Sequence, residues 1–252
     1  MKKVLLKTEG LSKSFSNGGV LQHVLKNIDL ELYEGDFTVI MGASGAGKST
    51  LLYALSGMDT PTLGTITCGE EVISDYSSDE LAVFRRRACG FVFQQIYLID
   101  GMSVMDNVLA AGLLVNRDRK EVLARAKELL KAVDIREESW GKFPTQLSGG
   151  EAQRVGIVRA LINSPRIVFA DEPTGALNSK TGLDVLDTLS RFNEQGVSMV
   201  MVTHDMRSAR RGNRILYLKD GALLGECDLG RYVSGDRARH EKLAAFLGEM
   251  GW

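Results

Sequence analysis

The stretch Gly42-Ala43-Ser44-Gly45-Ala46-Gly47-Lys48-Ser49-Thr50 carries the most chemistry in this chain. It matches Gly-x-x-x-x-Gly-Lys-Ser, follows the apolar run Phe37-Thr38-Val39-Ile40 and opens a helical pattern. That strand-to-helix context is what such a motif requires. Glycines let the backbone wrap with its N–H groups turned inward, and a helix start adds the positive end of a dipole. The expected guest is a nucleoside triphosphate. Lys48 is placed to bridge β- and γ-phosphate oxygens as a point charge, Ser49 to ligate Mg2+ and Thr50 to touch the α-phosphate.

Four further positions fit the same chemistry. Asp171 ends the apolar run Ile167-Val168-Phe169-Ala170, a common source of a carboxylate beside Mg2+. Glu172, one residue on, is placed to polarise the attacking water as a general base. Gln94 closes Gly90-Phe91-Val92-Phe93, where an amide reaches Mg2+ or the lytic water; Gln95 is the alternative. His204 follows an apolar strand and is one of three histidines. At the C-terminal end of such a strand, a neutral imidazole donates to a γ-phosphate oxygen. Phe15 lies in a polar segment, where an exposed ring stacks on a purine; core packing is the competing reading.

Leu147-Ser148-Gly149-Gly150-Glu151 comes about a hundred residues after Lys48. A serine hydroxyl and two glycine N–H groups at a helix start form a second anion site. One chain already has a complete cradle at Lys48. The second site is therefore most useful to the nucleotide of another copy, which implies a two-fold pair.

The elements that must position these residues follow from periodicity. Residues 2–40 are β-rich, with short runs at 4–6, 21–25, 28–32 and 37–40, broken at Asn17-Gly18-Gly19 and Glu34-Gly35-Asp36. The helix after the glycine turn carries Leu51, Leu52, Leu55 and Met58 on one face, and a short strand lies near Thr65-Ile66-Thr67. Residues 78–165 read mainly as helix, with an amphipathic pattern over 119–133 and another helix over 152–163. β-type runs return at 166–170, 198–203 and 214–218, with a helix over 182–194. Alternating β and α predicts an α/β fold with a buried parallel sheet, the helical stretch being an insertion. Leu243, Phe246, Leu247 and Met250 share a face of a last helix, docked on its own core or on a partner.

Bulk properties exclude several classes. The chain has 252 residues, 44% hydrophobic, and a formal charge of −1, so nothing draws a polyanion from a distance. Arg85-Arg86-Arg87 is the one basic run, read as a solvated helix face or a ligand site. Cys68, Cys89 and Cys227 have no metal-site or disulfide spacing, which predicts a reducing compartment. Met1-Lys2-Lys3 precedes an apolar stretch too short for a signal peptide, and no window is long enough to span a bilayer. Membrane work would need a separate anchor.

Taken together, these residues resemble the ATP-binding cassette family of transporter ATPases, across nearly the whole chain. Gly42 to Thr50 resembles its Walker A, Gln94 its Q-loop, Leu147 to Glu151 its signature, Asp171-Glu172 its Walker B and catalytic glutamate, and His204 its switch histidine. Pro173-Thr174-Gly175-Ala176-Leu177-Asn178 resembles its D-loop region. The resemblance implies a P-loop NTPase (RecA-like) core with an N-terminal antiparallel β subdomain and an inserted α-helical subdomain. The core and β subdomain are expected at 1–87 and 165–230, the helical subdomain at 88–164 and a helical tail at 231–252. It implies binding of ATP and Mg2+ by Phe15, Gly42, Ser44, Gly45, Ala46, Gly47, Lys48, Ser49, Thr50, Gln94, Ser148, Gly149, Gly150, Glu151, Asp171 and His204. Ser49, Gln94 and Asp171 are the implied metal ligands, and Glu172, His204, Gln94 and Lys48 the catalytic set. Two subunits would close around two ATP molecules and drive a separate membrane permease at the cytoplasmic face of the cell membrane, with no nucleic-acid partner.

Gly90 to Gln95 and Pro173 to Lys180 are similar to exporters grouped with macrolide export, lipoprotein release and bacitracin resistance. Leu98-Ile99-Asp100 and the last helix look closest to the bacitracin-resistance type, which implies antimicrobial-peptide resistance and a sensor histidine kinase acting through the permease. Lipoprotein release or a cell-division cassette is the alternative. Glu151 stands for the usual signature glutamine, Asn178 for the usual D-loop aspartate and Phe15 for a commoner tyrosine. Soluble nucleic-acid or ribosome cassettes usually carry two cassettes or a coiled-coil arm, and this interval is too short for an arm. A GTPase would need an Asn-Lys-x-Asp base reader, and none is found.

Overall fold

The computed structural model describes residues 2–252, leaving aside the side chain of Asn17. Its contacts group into two compact units, residues 1–82 with 196–252 and residues 83–195.

The first unit is built from two sheets. β1 (Val4–Asn17) and β2 (Val20–Tyr33) pair antiparallel, and β1 also pairs antiparallel with β4 (Leu63–Cys68), which pairs with the short β5 (Glu71–Val72). The runs expected at 21–25 and 28–32 are one continuous strand. Asn27, in the left-handed region with φ 48°, absorbs a bulge there, and its N–H donates to Ser12 Oγ at 2.9 Å. A bulge lets the inward face change register without ending the strand.

The other sheet centres on β3 (Phe37–Met41), every residue of which is buried. It pairs in parallel with β8 (Ser198–Val202) and β9 (Arg214–Lys219), and β9 pairs antiparallel with β10 (Ala222–Asp228). Full burial of β3 and β8 explains their unbroken apolar runs. α1 (Lys48–Leu55) buries Leu51, Leu52 and Leu55 but ends at Ser56, so Met58 is 41% exposed rather than on its buried face. α7 (Met206–Ala209) is a single turn.

α8 (Arg237–Glu249) buries Leu243, Phe246 and Leu247 within this unit, and a Cβ on Gly225 of β10 would stand 2.8 Å from Met250 Sδ. Arg239, 3% exposed, is its deepest tie. Its guanidinium donates to the carbonyls of Arg210, Gly212, Leu229, Gly230 and Arg231. Of the two readings of the last helix, this unit supplies a dock on the chain's own core.

The division between units falls within α2 (Ser78–Ala88), whose last turn holds Arg85, Arg86 and Arg87, the favourable end of the helix dipole for cations. The second unit pairs β6 (Cys89–Phe93) in parallel with β7 (Ile167–Asp171). Around them stand α3 (Val104–Gly112), α4 (Arg119–Ala132), α5 (Gly149–Leu161) and α6 (Ser179–Glu194). α4 is capped by Asp118 and buries Val122, Ala126, Leu129 and Leu130, the stripe its spacing predicts. All three cysteines are buried, and none forms a disulfide among the described residues. No helix of the described residues is long and apolar enough to cross a membrane.

Candidate nucleotide site

In the first unit β3 delivers the chain into a turn that only glycine can make at two places. A Cβ on Gly42 would lie 2.2 Å from the Leu218 carbonyl oxygen. Gly47 sits at φ 100°, with Val24 O 2.9 Å from where its Cβ would be. Gly47 also precedes α1 without a side-chain cap, so the first N–H groups of the helix have none from that position. Lys48 folds back over the turn and donates to the carbonyls of Gly42 at 2.8 Å and Ala43 at 2.9 Å. Ala43, Ser44 and Gly45 are exposed, Ala46 is buried, and Lys48, Ser49 and Thr50 are half-buried. The turn is braced from behind, since Gly221 N–H donates to Ala46 O and Lys26 N–H to Gly221 O.

His204 is exposed just beyond β8. Asp205 behind it caps α7 through Arg207 N–H and Ser208 N–H. Burial pushes the Asp205 carboxyl up, but hydrogen bonds from the Ser208 hydroxyl and from these N–H groups outweigh it and hold the group below the ordinary range. Phe15 is 44% exposed, so it is not core packing, and Lys13 Nζ sits 4.9 Å from its ring centroid. Lys13 is itself held by Asp59 Oδ1 at 2.6 Å and Thr60 O at 2.7 Å.

The second unit brings another group together. Gln94 is exposed directly after β6, and Asp171 and Glu172 are half-buried at the end of the adjacent β7. Glu172 occupies the left-handed region at φ 44°, unusual for a side chain with a Cβ and frequent at functional turns. Gln94 packs against the turn that follows, its Nε2 2.9 Å from where a Cβ on Gly175 would sit.

Gln153 of α5, which sequence reasoning passed over, ties the two strand ends. It is 1% exposed, and its Nε2 donates to Phe93 O at 2.9 Å and Pro173 O at 2.8 Å. Both amide hydrogens are used, one on the residue before Gln94 and one on the residue after Glu172. A readable signal existed: Gln153 lies on the same helical face as Ile157, Ala160 and Leu161, all buried.

α5 begins at the serine-glycine pair. Ser148 is its N-cap and, with Glu151, closes a capping box. Glu151 N–H donates to Ser148 Oγ, while Ser148 N–H and hydroxyl both donate to Glu151 Oε2, at 2.9 and 2.7 Å. These two bonds hold the Glu151 carboxyl below the ordinary glutamate range. Asn178 caps α6, accepting from Thr181 N–H at 3.0 Å, a local duty that Asn and Asp perform equally well.

Residues 25–175, from within β2 to the turn after Glu172, match the ABC transporter family. The chain belongs to the ABC transporter family.

This cassette is 42% identical over 220 residues to the uncharacterized ABC transporter ATP-binding protein MJ1508 of Methanocaldococcus jannaschii, covering 87% of this chain and 98% of that protein. It is 42% identical over 224 residues to the macrolide export ATP-binding/permease protein MacB of Escherichia coli. That match covers 89% of this chain but 34% of MacB, so the cassette spans about a third of that relative. Among solved structures it is similar to MJ0796 in a dimeric post-hydrolysis state bound to ADP and Pi, with TM-score 0.83 and 41% identity over 90% of this chain and 100% of that one. The cassette fold, with parallel strands and an antiparallel N-terminal sheet, and the ATP-hydrolysing activity follow from these likenesses. Within the family, the chain groups with the MacB and MJ0796 ATPases.

Each unit also offers oxygen donors of the hard kind that Mg2+ takes alongside phosphate, the Ser49 hydroxyl in the first and the Gln94 amide and Asp171 carboxylate in the second.

Proposed function

We propose that this cassette binds Mg-ATP at the turn of Gly42 to Thr50, pairs with a second copy through the Ser148 helix and drives a separate membrane permease. The observation that carries the pairing is the second helix start. Ser148, Gly149 and Gly150 open α5, a second serine-glycine helix start in a chain that already has a phosphate-type turn at α1.

The roles follow from chemistry. Lys48 leaves its two carbonyl partners for phosphate oxygens, stronger acceptors for an ammonium ion. Ser49, Gln94 and Asp171 would hold Mg2+, which would supply neutralisation of charge on the phosphate oxygens. Glu172 accepts the proton of the attacking water, with Gln94 orienting that water and His204 donating to the γ-phosphate. Phe15 offers its ring to the adenine by stacking, which reads no base edges.

A permease partner suits the exposed apolar side chains of the second unit, Tyr97 and Ile99 after β6 and Leu114 and Val115 after α3. Its site of work is then the cytoplasmic face of the membrane. The cargo class we favour is antimicrobial peptides, with a sensor kinase reached through the permease; Leu98-Ile99-Asp100 and α8 support this subtype.

The test of pairing is a mixing experiment. Ser148→Ala protein carrying Lys48→Ala is combined with wild type in excess. Mixed dimers with the altered serine are expected to lose hydrolysis at the wild-type cradle. Full wild-type turnover per intact cradle at every mixing ratio refutes the shared site.

A further inference from the structure

The Ser148 hydroxyl has one proton, and that proton is already given to Glu151 Oε2 at 2.7 Å. Ser148 N–H converges on the same oxygen at 2.9 Å. Both donors of the residue that would greet a partner's nucleotide are thus committed to an anion of this chain. A γ-phosphate arriving there needs the hydroxyl proton and meets a carboxylate at hydrogen-bond range from it. Like charges in that position repel.

From this geometry we infer that Glu151 acts as an internal stand-in for phosphate, competing with the partner's ATP for Ser148 and setting the ATP concentration at which two cassettes close. The inference rests on the shared-site reading above. It gives a physical content to the carboxylate at a position where an amide would serve the capping box equally well.

The displaced carboxylate has a place to go. Arg154 lies three residues on along α5, on the same helical face, and is one of the two cations that act on Glu151, with Lys142 the other. Arg154 Nε is buried with no hydrogen-bond partner among the described residues. A swing of Glu151 from Ser148 towards Arg154 frees the hydroxyl for phosphate and gives the guanidinium an acceptor. Lys142 is less suited, because its Nζ already donates to Ser139 Oγ at 3.1 Å.

The test uses Glu172→Gln as parent, so that ATP is held rather than spent, and reads dimer by sedimentation against ATP concentration. Adding Glu151→Gln is expected to lower the half-maximal ATP concentration roughly 3- to 10-fold, because a neutral acceptor holds the hydroxyl less firmly. Adding Arg154→Met instead is expected to raise it, by removing the alternative seat. The Glu151→Gln melting temperature is expected to fall slightly, because the neutral amide caps α5 less firmly, so a lower ATP requirement does not come from a more stable fold. An equal or higher ATP requirement for Glu151→Gln overturns the inference. A parent that stays monomeric at saturating ATP overturns the shared-site reading, and this inference with it.

Discussion

Replacing Gln153 by Met tests whether one buried amide sets the geometry of catalysis. Methionine nearly conserves volume, so the cavity contribution is small and the lost donors dominate. Gln153 is 1% exposed, and its two bonds end on Pro173 O, which is buried, and Phe93 O, which is partly buried. A buried carbonyl left without a donor costs about 1–3 kcal/mol, while one that water can reach sits at the lower end. The substitution should therefore destabilise the protein by roughly 2–4 kcal/mol, a large share of the ~5–15 kcal/mol typical of a domain. Catalysis should suffer separately. The released carbonyls flank Gln94 and Glu172, and a shift of about 1 Å in a reacting group can cost about 10²-fold. The expected signature is a kcat lower by roughly 10- to 100-fold with a smaller loss of ATP affinity, since the proposed phosphate cradle lies at α1 while Gln94 is only one of the proposed metal ligands. Urea titration gives the stability change, steady-state phosphate release gives kcat, and a fluorescent nucleotide gives affinity. The reasoning fails if Gln153→Met unfolds within about 0.5 kcal/mol of wild type and turns over at more than half its rate.

Lys48→Ala removes the cation proposed to meet the phosphates, and ATP affinity should fall by about 10²-fold in a direct titration; unchanged affinity would mean the turn serves another purpose. Arg239→Met strands five carbonyls around α8 and should cost about 3 kcal/mol or more in a thermal melt, with protease cutting appearing between β10 and α8. A melt indistinguishable from wild type would show that water replaces the guanidinium at no cost.

The legible parts of the molecule were those encoded locally. The glycine turn, the buried stripe of α4 and the strand runs before Asp171 and His204 all depend on residue types within a few positions. What escaped depends on neighbours distant in sequence. The separate runs read at 21–25 and 28–32 are one strand with a bulge at Asn27, whose N–H donates to Ser12 on the facing strand. Met58 follows the helical spacing, yet the helix stops three residues earlier. β10 was missed although Asp220-Gly221, both at positive φ between apolar runs, is a hairpin signal. Gln153 and Arg239 were passed over because a polar residue on an apolar stripe is ordinarily read as a blemish in the pattern. Arg239 falls four residues before Leu243, in line with the buried face, and that alignment was the available clue.

The Asp220-Gly221 hairpin has a wider reach than its size suggests. Its glycine has no room for a methyl, since a Cβ there would stand 2.3 Å from Val24 O, and its N–H donates to Ala46 O in the middle of the turn proposed to hold the nucleotide. Lengthening that bend by a single residue would slacken the grip from beneath, without altering any atom the ligand meets. Loss of affinity in such an insertion would then come from a foundation, not from a contact.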